Sequence, residues 1–210
     1  MFSLQKFFSK DEQFFELLEA IAQECRASIK ALKNIINNNL GEISLDEFVA
    51  PRRTGKQLSI QISELLARVS VTALEPEDIE TLCNALYKIP KTVEKFAERY
   101  AMAADQLQDI DFSKQISLLE EASDIILTML QELRRGYHVK NISAQNSRLH
   151  DVEGEADKLM LILLKDELYS RKHDAVKVII LKDLYELLEK VVDRCRDAGN
   201  VISHIVLKES

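Results

Sequence analysis

Apolar side chains recur at alternating spacings of three and four residues along most of the chain, which is the pattern of a helix with one buried face. The first segment shows this most clearly, and Asn37, Asn38 and Asn39 after it are expected to end that helix. The apolar stripe consists of Phe14, Leu18, Ile21, Cys25, Ile29, Leu32 and Ile36. Such a helix needs partners on which to pack its apolar face.

The same periodicity predicts five further helices. The second is predicted to begin near Pro51 and the third at Pro76, because proline suits the first turn of a helix. Pro90 lies inside the third and is expected to kink it. The other predicted spans are 112–136, with Tyr137 on its stripe, 143–169 and 175–207. We therefore predict an all-α fold, an elongated six-helix bundle forming a single domain over 1–210.

The bundle is predicted to consist of two three-helix halves, approximately 1–106 and 107–210. Aligning Asp78 with Asp183 places Leu82 on Leu187 and so matches the apolar stripes of the third and sixth helices. The segment 52–56 then lies opposite 153–157. The halves therefore share one plan while differing in the charges that they carry.

Composition supports a helical, globular protein. The 210 residues are 46% hydrophobic, with only five glycines and three prolines for tight turns. The net charge of −7 disfavours a nucleic-acid partner. No run approaches the ~18 apolar residues of a membrane span. The isolated cysteines Cys25, Cys83 and Cys195 are interpreted as core residues of a protein in a reducing compartment, and the N-terminus lacks the order of a secretory signal.

Acidic side chains recur one turn apart on the two last helices. Glu153 and Asp157, with His150 one turn earlier, project within a ~60° sector of the fifth helix. On the sixth, Glu189, Asp193 and Asp197 form a second stripe, which Glu186 joins. Stacked carboxylates repel, and a bound cation would relieve the repulsion: Mg²⁺ or Ca²⁺ take oxygen ligands, and iron or zinc accept carboxylate with imidazole.

A solvated face explains the same acidic pattern without a metal. On the sixth helix the stripe lies nearly opposite the predicted buried face, where water can hydrate the carboxylates. Arg194 and Arg196 interleave with the acids and can partly neutralise them. Spacing alone leaves both interpretations open.

A basic cluster, Arg52, Arg53 and Lys56, lies at the predicted start of the second helix. Free backbone amides and the helix dipole favour anions at such a position. We therefore expect an anion or an acidic partner surface there, with a merely solvated helix start as the alternative.

The sequence disfavours a conventional enzyme. It contains no GxGxxG, GxxxxGK[ST] or GxSxG motif, and neither HExxH nor Glu-x-x-His. The remaining histidines, His138, His173 and His204, are isolated and are predicted to be surface residues. No catalytic residue is therefore assigned.

Several segments together resemble the PhoU-like family, in the branch described as accessory proteins of Pit-type phosphate permeases. The likeness spans nearly the whole chain, and its most specific parts are HxxExxxD and the acidic C-terminal helix. The segments are Phe2 with 14–18, 74–79, 150–157, and 184–189 continuing through Asp193, Asp197, Asn200 and 206–208.

The resemblance implies a cytoplasmic, non-catalytic regulator of phosphate uptake, positioned at the inner face of the membrane only through its partner, a phosphate permease. It also implies metal clusters held by ExxxD motifs in both halves; separately, we expect a homo-oligomer. Transferred to this chain, the second-half metal ligands would be Glu153, Asp157, Glu189 and Asp193, with Asp197 and His150 as additions. A metal-binding or scaffold bundle without a transporter partner is the alternative.

The first half departs from that family pattern. Arg52 and Lys56 stand where the first ExxxD is expected, and Asn84 and Lys88 replace acids of the following helix. Cations cannot hold a metal ion, so any cluster should be confined to the second half. We expect the basic patch instead to dock an acidic surface, such as the second half of another copy, by charge complementarity.

Overall fold

Six α-helices make up the described part of the chain in this computed structural model, which covers residues 2–37, 44–69, 72, 74–136, 138–170 and 172–209, with side chains from residue 12 onward. The helices are α1 (Phe2–Asn37), α2 (Asp46–Arg68), α3 (Pro76–Ala103), α4 (Ser113–Arg135), α5 (Val139–Ser170) and α6 (Ala175–Glu209), with a 3₁₀ turn at Ala104–Gln106. The predicted all-α fold is confirmed.

The observed starts of two helices differ from the predicted ones. α3 begins at Pro76 as predicted and continues through Pro90. α2, however, begins at Asp46, so the start predicted near Pro51 is wrong. The carboxylates of Asp46 and Glu47 suit the positive end of the helix dipole, and the fully buried Phe48 anchors the first turn.

α5 also begins earlier than predicted, at Val139, because Ile142 in its first turn is buried in the core. Tyr137, predicted on the apolar stripe of α4, lies outside the described residues. The same is true of Asn38 and Asn39, which were expected to end α1; the described part of that helix ends at Asn37.

Within each predicted half, the three helices all contact one another. α1 contacts α2 and α3 in the first half, and α6 contacts α4 and α5 in the second. Contacts of α1 with α4 and of α3 with α6 join the halves. α2 and α5 are therefore the outer helices, each packed within its own half, and their free faces are available to partners.

An aromatic cluster fills the junction between the halves. Phe96 and Tyr100 of α3 stack with ring centroids 5.9 Å apart, and Phe112 meets the edge of both rings. Tyr185 of α6 lies 5.9 Å from Phe112, also edge-on. These offset and edge-to-face arrangements are the favourable geometries for aromatic rings, so the cluster helps to fix α6 against α3.

The three cysteines are buried and free, as predicted for core residues. The Cys25 thiol donates a hydrogen bond to the Leu86 carbonyl oxygen at 3.4 Å. Burial raises the pKa of Cys195 to about 12, so this sulfur stays protonated at neutral pH. No helix among the described residues is both long and apolar enough to cross a bilayer.

Candidate functional site

The facing edges of α5 and α6 bring together three of the acids predicted from spacing. Glu153 of α5 and Asp193 and Asp197 of α6 all lie around one guanidinium, that of Arg196. Glu153 and Asp193 are largely covered, with side chains 20% and 29% exposed. The acids therefore form a compact cluster in the groove between two helices, not a fully solvated stripe.

Arg196 bridges the two helices at the centre of this cluster. Its Nη1 donates to Glu153 Oε1 at 3.1 Å, and its Nη2 donates to Asp197 Oδ1 at 3.1 Å and also to Asp193 Oδ1. Arg194 donates to the other oxygen of Asp197 at 3.0 Å. Burial alone would lower the pKa of Arg196, but Asp193, Asp197 and Glu153 outweigh burial and raise it.

This arrangement does not fit a metal ion as it stands. A cation needs free carboxylate oxygens converging on one point, and here an oxygen from each of three carboxylates converges on Arg196. The described residues contain no group of three or more acidic, histidine or cysteine side chains arranged to hold a metal. A metal ion held by these residues, as the resemblance predicts, would compete with Arg196 for Glu153, Asp193 and Asp197.

Asp157 and Glu189, the other two predicted acids, lie beside the cluster and form no ion pair with another described residue. Asp157 is exposed, whereas Glu189 is partly buried. Burial raises the pKa of Glu189, and the charges of Asp193, Asp157 and Glu153 raise it further. A cavity of about 10 Å³ next to Glu189 has room for roughly one water.

Replacing Glu189 with glutamine should stabilise the protein at neutral pH. Because the pKa of Glu189 is raised in the folded state, the native protein binds this proton more tightly than the unfolded chain. Stability is therefore lost as pH rises from about 4.5 through the raised pKa. We expect the free energy of unfolding of Glu189→Gln to exceed that of wild type by a few tenths of a kcal/mol at pH 7.5 and to equal it at pH 4. Urea unfolding at the two pH values measures this difference.

The matched control for this change is Glu186→Gln on the same helix. Glu186 pairs with Lys182 across one turn, so its replacement should bring no gain at either pH. A Glu189→Gln protein that is less stable than wild type at pH 7.5 would contradict the repulsion inferred for this carboxylate.

His150, the predicted additional metal ligand, makes a different contact. Its Nε2 lies 2.9 Å from Asn200 Oδ1, and Asn146 donates to the same oxygen at 3.2 Å. Since Asn200 Oδ1 is an acceptor, the imidazole donates through Nε2. The structure thus places His150 in a hydrogen-bonded link between α5 and α6.

Gly199 permits the close approach of α5 and α6 at this level. A Cβ atom at position 199 would lie 2.5 Å from Leu149 Cδ2 and 2.9 Å from Asn146 Oδ1, far inside van der Waals contact. A side chain at position 199 therefore requires the side chains of Leu149 and Asn146 to move; both belong to α5, which also carries Glu153. The close crossing brings the acids of both helices within reach of Arg196.

The first half carries an ion pair of opposite polarity between its corresponding helices. Arg52 of α2 donates to Glu94 of α3, with an Nη1–Oε2 distance of 2.7 Å, and Glu94 is buried. The hydrogen bond to Glu94, then one to Tyr87, raises the pKa of Arg52. In the first half the acid, Glu94, lies on the third helix and the base, Arg52, on the second. In the second half the base, Arg196, lies on the third helix and the acid, Glu153, on the second.

The anion site predicted at Arg52, Arg53 and Lys56 loses its original basis. Because α2 begins at Asp46, these residues lie well inside the helix, away from the free amides of its first turn. Arg52 is also engaged by Glu94. A broader cationic surface remains, made of exposed side chains without an ion pair to another described residue: Arg53, Lys56, Lys88, Lys91 and Lys95.

The remaining histidines agree in part with prediction. His138 and His204 are exposed, as predicted for surface residues. His173 is not: its side chain is only 14% exposed and lies 3.6 Å from Glu167 and 3.9 Å from Asp109. It helps to attach the α5–α6 turn to the segment before α4, where Lys177 and Asp109 also pair at 2.6 Å.

Sequence reasoning missed Gly199, Asn146 and Glu94 as determinants of the two sites. Gly199 carried a usable signal, because a glycine in the middle of a long helix lowers helix stability and so indicates a packing reason. Glu94 gave a weaker one, an acid beside the apolar Val93 and Phe96. Nothing local in the sequence indicates Asn146.

The chain is similar over nearly its full length to two curated proteins, while no protein-family model matches it. It is 26% identical over 207 residues to "UPF0111 protein YkaA" of Bacillus subtilis, covering 96% of this chain and 98% of that protein. It is 24% identical over 209 residues to "Putative pit accessory protein" of Rhizobium meliloti, covering 97% of each.

A solved structure gives the same result at the level of the fold. The crystal structure of a "putative PhoU-like phosphate regulatory protein" from Shewanella oneidensis matches with a TM-score of 0.72 at 17% identity, covering 93% of this chain and 99% of that one. The chain thus has the PhoU-like fold and, as its sequence predicts, resembles the PhoU-like family and its Pit-accessory branch.

Proposed function

We propose that this chain is a non-catalytic accessory protein that regulates inorganic phosphate transport, acting in the cytoplasm beside a phosphate permease. The observation that carries the proposal is the likeness, over 97% of each chain, to a protein named "Putative pit accessory protein". The match in fold to a PhoU-like phosphate regulatory protein supports it.

The placement of the reactive side chains supports a role other than catalysis. The acids Glu153, Asp193 and Asp197 neutralise Arg196, so they are engaged in joining α5 to α6. The Cys195 thiol is buried and protonated, which removes its nucleophilic character. These groups stabilise the packing of the helices, and the exposed surfaces suit contact with partners.

The homo-oligomer predicted from the sequence is part of this proposal and stays a prediction. In such a dimer the cationic surface of α2 and α3 would face the acids of a second copy. Because three acids are already engaged by Arg196, Asp157 and Glu189 would carry most of that attraction.

Deletion of the gene tests the proposed function. We expect the rate of phosphate uptake to change relative to the parent strain and to return when the wild-type chain is supplied in trans. A tagged chain should also co-purify with a phosphate permease from detergent-solubilised membranes, while a tagged unrelated helical protein should not. Unchanged uptake, together with no co-purified permease, would overturn the proposal.

A further inference from the structure

The end of the α5–α6 hairpin exposes an unusual number of apolar side chains. Of the ten large hydrophobic residues that are exposed in the described part of the chain, six lie between positions 161 and 179, and each is more than half exposed. They are Leu161, Ile162, Leu168, Tyr169, Val176 and Ile179. Exposed apolar side chains concentrated in one part of a monomer mark an interaction surface.

The fold leaves this region uncovered because α5 extends beyond its neighbour. α4 begins at Ser113, and Gln115 near that end lines a small cavity with Ala156 and Met160 of α5. α5 continues for ten further residues, to Ser170. Among the described helices, none therefore packs against its outer side beyond Met160.

Lysines alternate with the leucines on this outer side. Lys158, Leu161, Lys165 and Leu168 follow at steps of three and four, which places them along one face of α5. Lys172 follows in the turn after the helix. All three lysines are exposed and form no ion pair with another described residue. The neighbouring stripe adds Ile162 and Tyr169, with Asp166 as its single acid.

We propose that this surface, called here the hairpin face (Lys158, Leu161, Ile162, Lys165, Leu168 and Tyr169), binds directly to the surface of an anionic lipid bilayer. A mixed basic and apolar helix face suits that occupant: the apolar side chains enter the boundary between headgroups and acyl chains, and the lysines meet the phosphates. A tyrosine suits the same interface, since its ring is apolar and its hydroxyl polar.

Charge selects lipid over a second copy of the chain. Two hairpin faces packed on each other would bring unpaired lysines together, and between Lys158 and Tyr169 the single exposed acid is Asp166. A bilayer containing phosphatidylglycerol has a negatively charged surface that attracts these lysines. This differs from the expectation that the chain reaches the membrane only through a partner.

Co-sedimentation of the full chain with protein-free vesicles tests the proposal. We expect binding to vesicles of phosphatidylcholine with phosphatidylglycerol, weakened by added salt, and little binding to phosphatidylcholine alone. Lys158→Gln with Lys165→Gln and Lys172→Gln should lower the partition coefficient at least about tenfold, since each lysine near an anionic surface contributes severalfold. Leu161→Ser with Leu168→Ser should also lower it at least about tenfold.

The matched control is Lys30→Gln with Lys140→Gln and Lys190→Gln, which removes the same charge from exposed lysines outside both the hairpin face and the cationic surface of α2 and α3. It should leave the partition coefficient within about twofold of wild type, a small change on the scale of one lysine at a charged surface. Thermal melts followed by circular dichroism verify that every variant is folded.

Two results would overturn the lipid proposal: no binding of wild type to anionic vesicles, or a loss in the lysine control equal to that of the hairpin-face variants. The first would leave a protein as the partner of the hairpin face. Because the vesicles contain no transporter and no uptake is measured, failure here leaves the proposed role in phosphate transport intact.

Discussion

Arg196→Gln is expected to lower the free energy of unfolding by about 1–3 kcal/mol and to make stability depend on divalent cations. The change removes charge-assisted hydrogen bonds to Glu153, Asp193 and Asp197 and leaves their negative charges facing one another. The guanidinium is 26% exposed, so water screens part of the effect. Urea unfolding with and without added Mg²⁺, Ca²⁺ or Mn²⁺ measures both consequences.

In wild type the same ions should leave the unfolding midpoint almost unchanged. The matched control is Arg194→Gln, because among the described residues Arg194 pairs with Asp197 alone and a partly exposed pair of this kind contributes at most about 1 kcal/mol. An Arg196→Gln protein as stable as wild type, with no response to divalent ions, would contradict the view that Arg196 neutralises the cluster.

Gly199→Val is expected to destabilise the protein by about 2–3 kcal/mol, the cost of overpacking a tight helix crossing. The new Cβ would meet Leu149 Cδ2 at 2.5 Å and Asn146 Oδ1 at 2.9 Å. Leu149 is fully buried and cannot turn away without disturbing the core. The separation of α5 and α6 should then increase, and guanidinium unfolding curves report the loss of stability.

Gly154→Ala is the control for the glycine change. Gly154 also lies inside a helix, but beyond the local backbone of α5 no described atom stands within 4 Å of the position that its Cβ would occupy. Alanine should therefore stabilise α5 by roughly 0.5–1 kcal/mol, the usual helix preference over glycine. If both glycine variants were stabilised, the inferred close crossing at Gly199 would be wrong.

The fold could be predicted from the sequence because its determinants are local and periodic. The stripe from Phe14 to Ile36 is buried as the spacing indicates, and Pro76 does begin α3. Pro51 misled the prediction of α2, because a favourable first-turn residue need not occupy the first turn. The packing of Phe48 and the carboxylates of Asp46 and Glu47 determine where that helix begins.

The candidate site could be predicted only in part, because its chemistry depends on how two helices face each other. Spacing placed Glu153 on one helix face and Asp193 with Asp197 on another. It did not reveal that Arg196 spans the groove, since that reach depends on the rotation and separation of α5 and α6. Gly199 and Asn146 set that separation through contacts between positions about 50 residues apart in sequence. The spacing of apolar residues within one helix does not predict such contacts between helices.

The two halves share a cross-helix ion pair, with the polarity reversed. In the first half a buried acid, Glu94, meets Arg52 of the outer helix; in the second, Arg196 meets Glu153 of the outer helix. Each half thus neutralises the charge on its outer helix with an opposite charge from its third helix. The reversal of charge between the two halves, which the sequence indicated, therefore changes the ion pair that joins the helices of each half as well as the surface potential.

Elemental analysis of the wild-type protein, purified without chelator, tests most directly whether Arg196 takes the place of a bound cation. We expect well under one equivalent of metal per chain, and a larger content in Arg196→Gln treated in the same way. A full equivalent or more in wild type, lost in the Glu153→Ala, Asp157→Ala, Glu189→Ala variant, would show that a metal ion displaces Arg196 and would contradict this view.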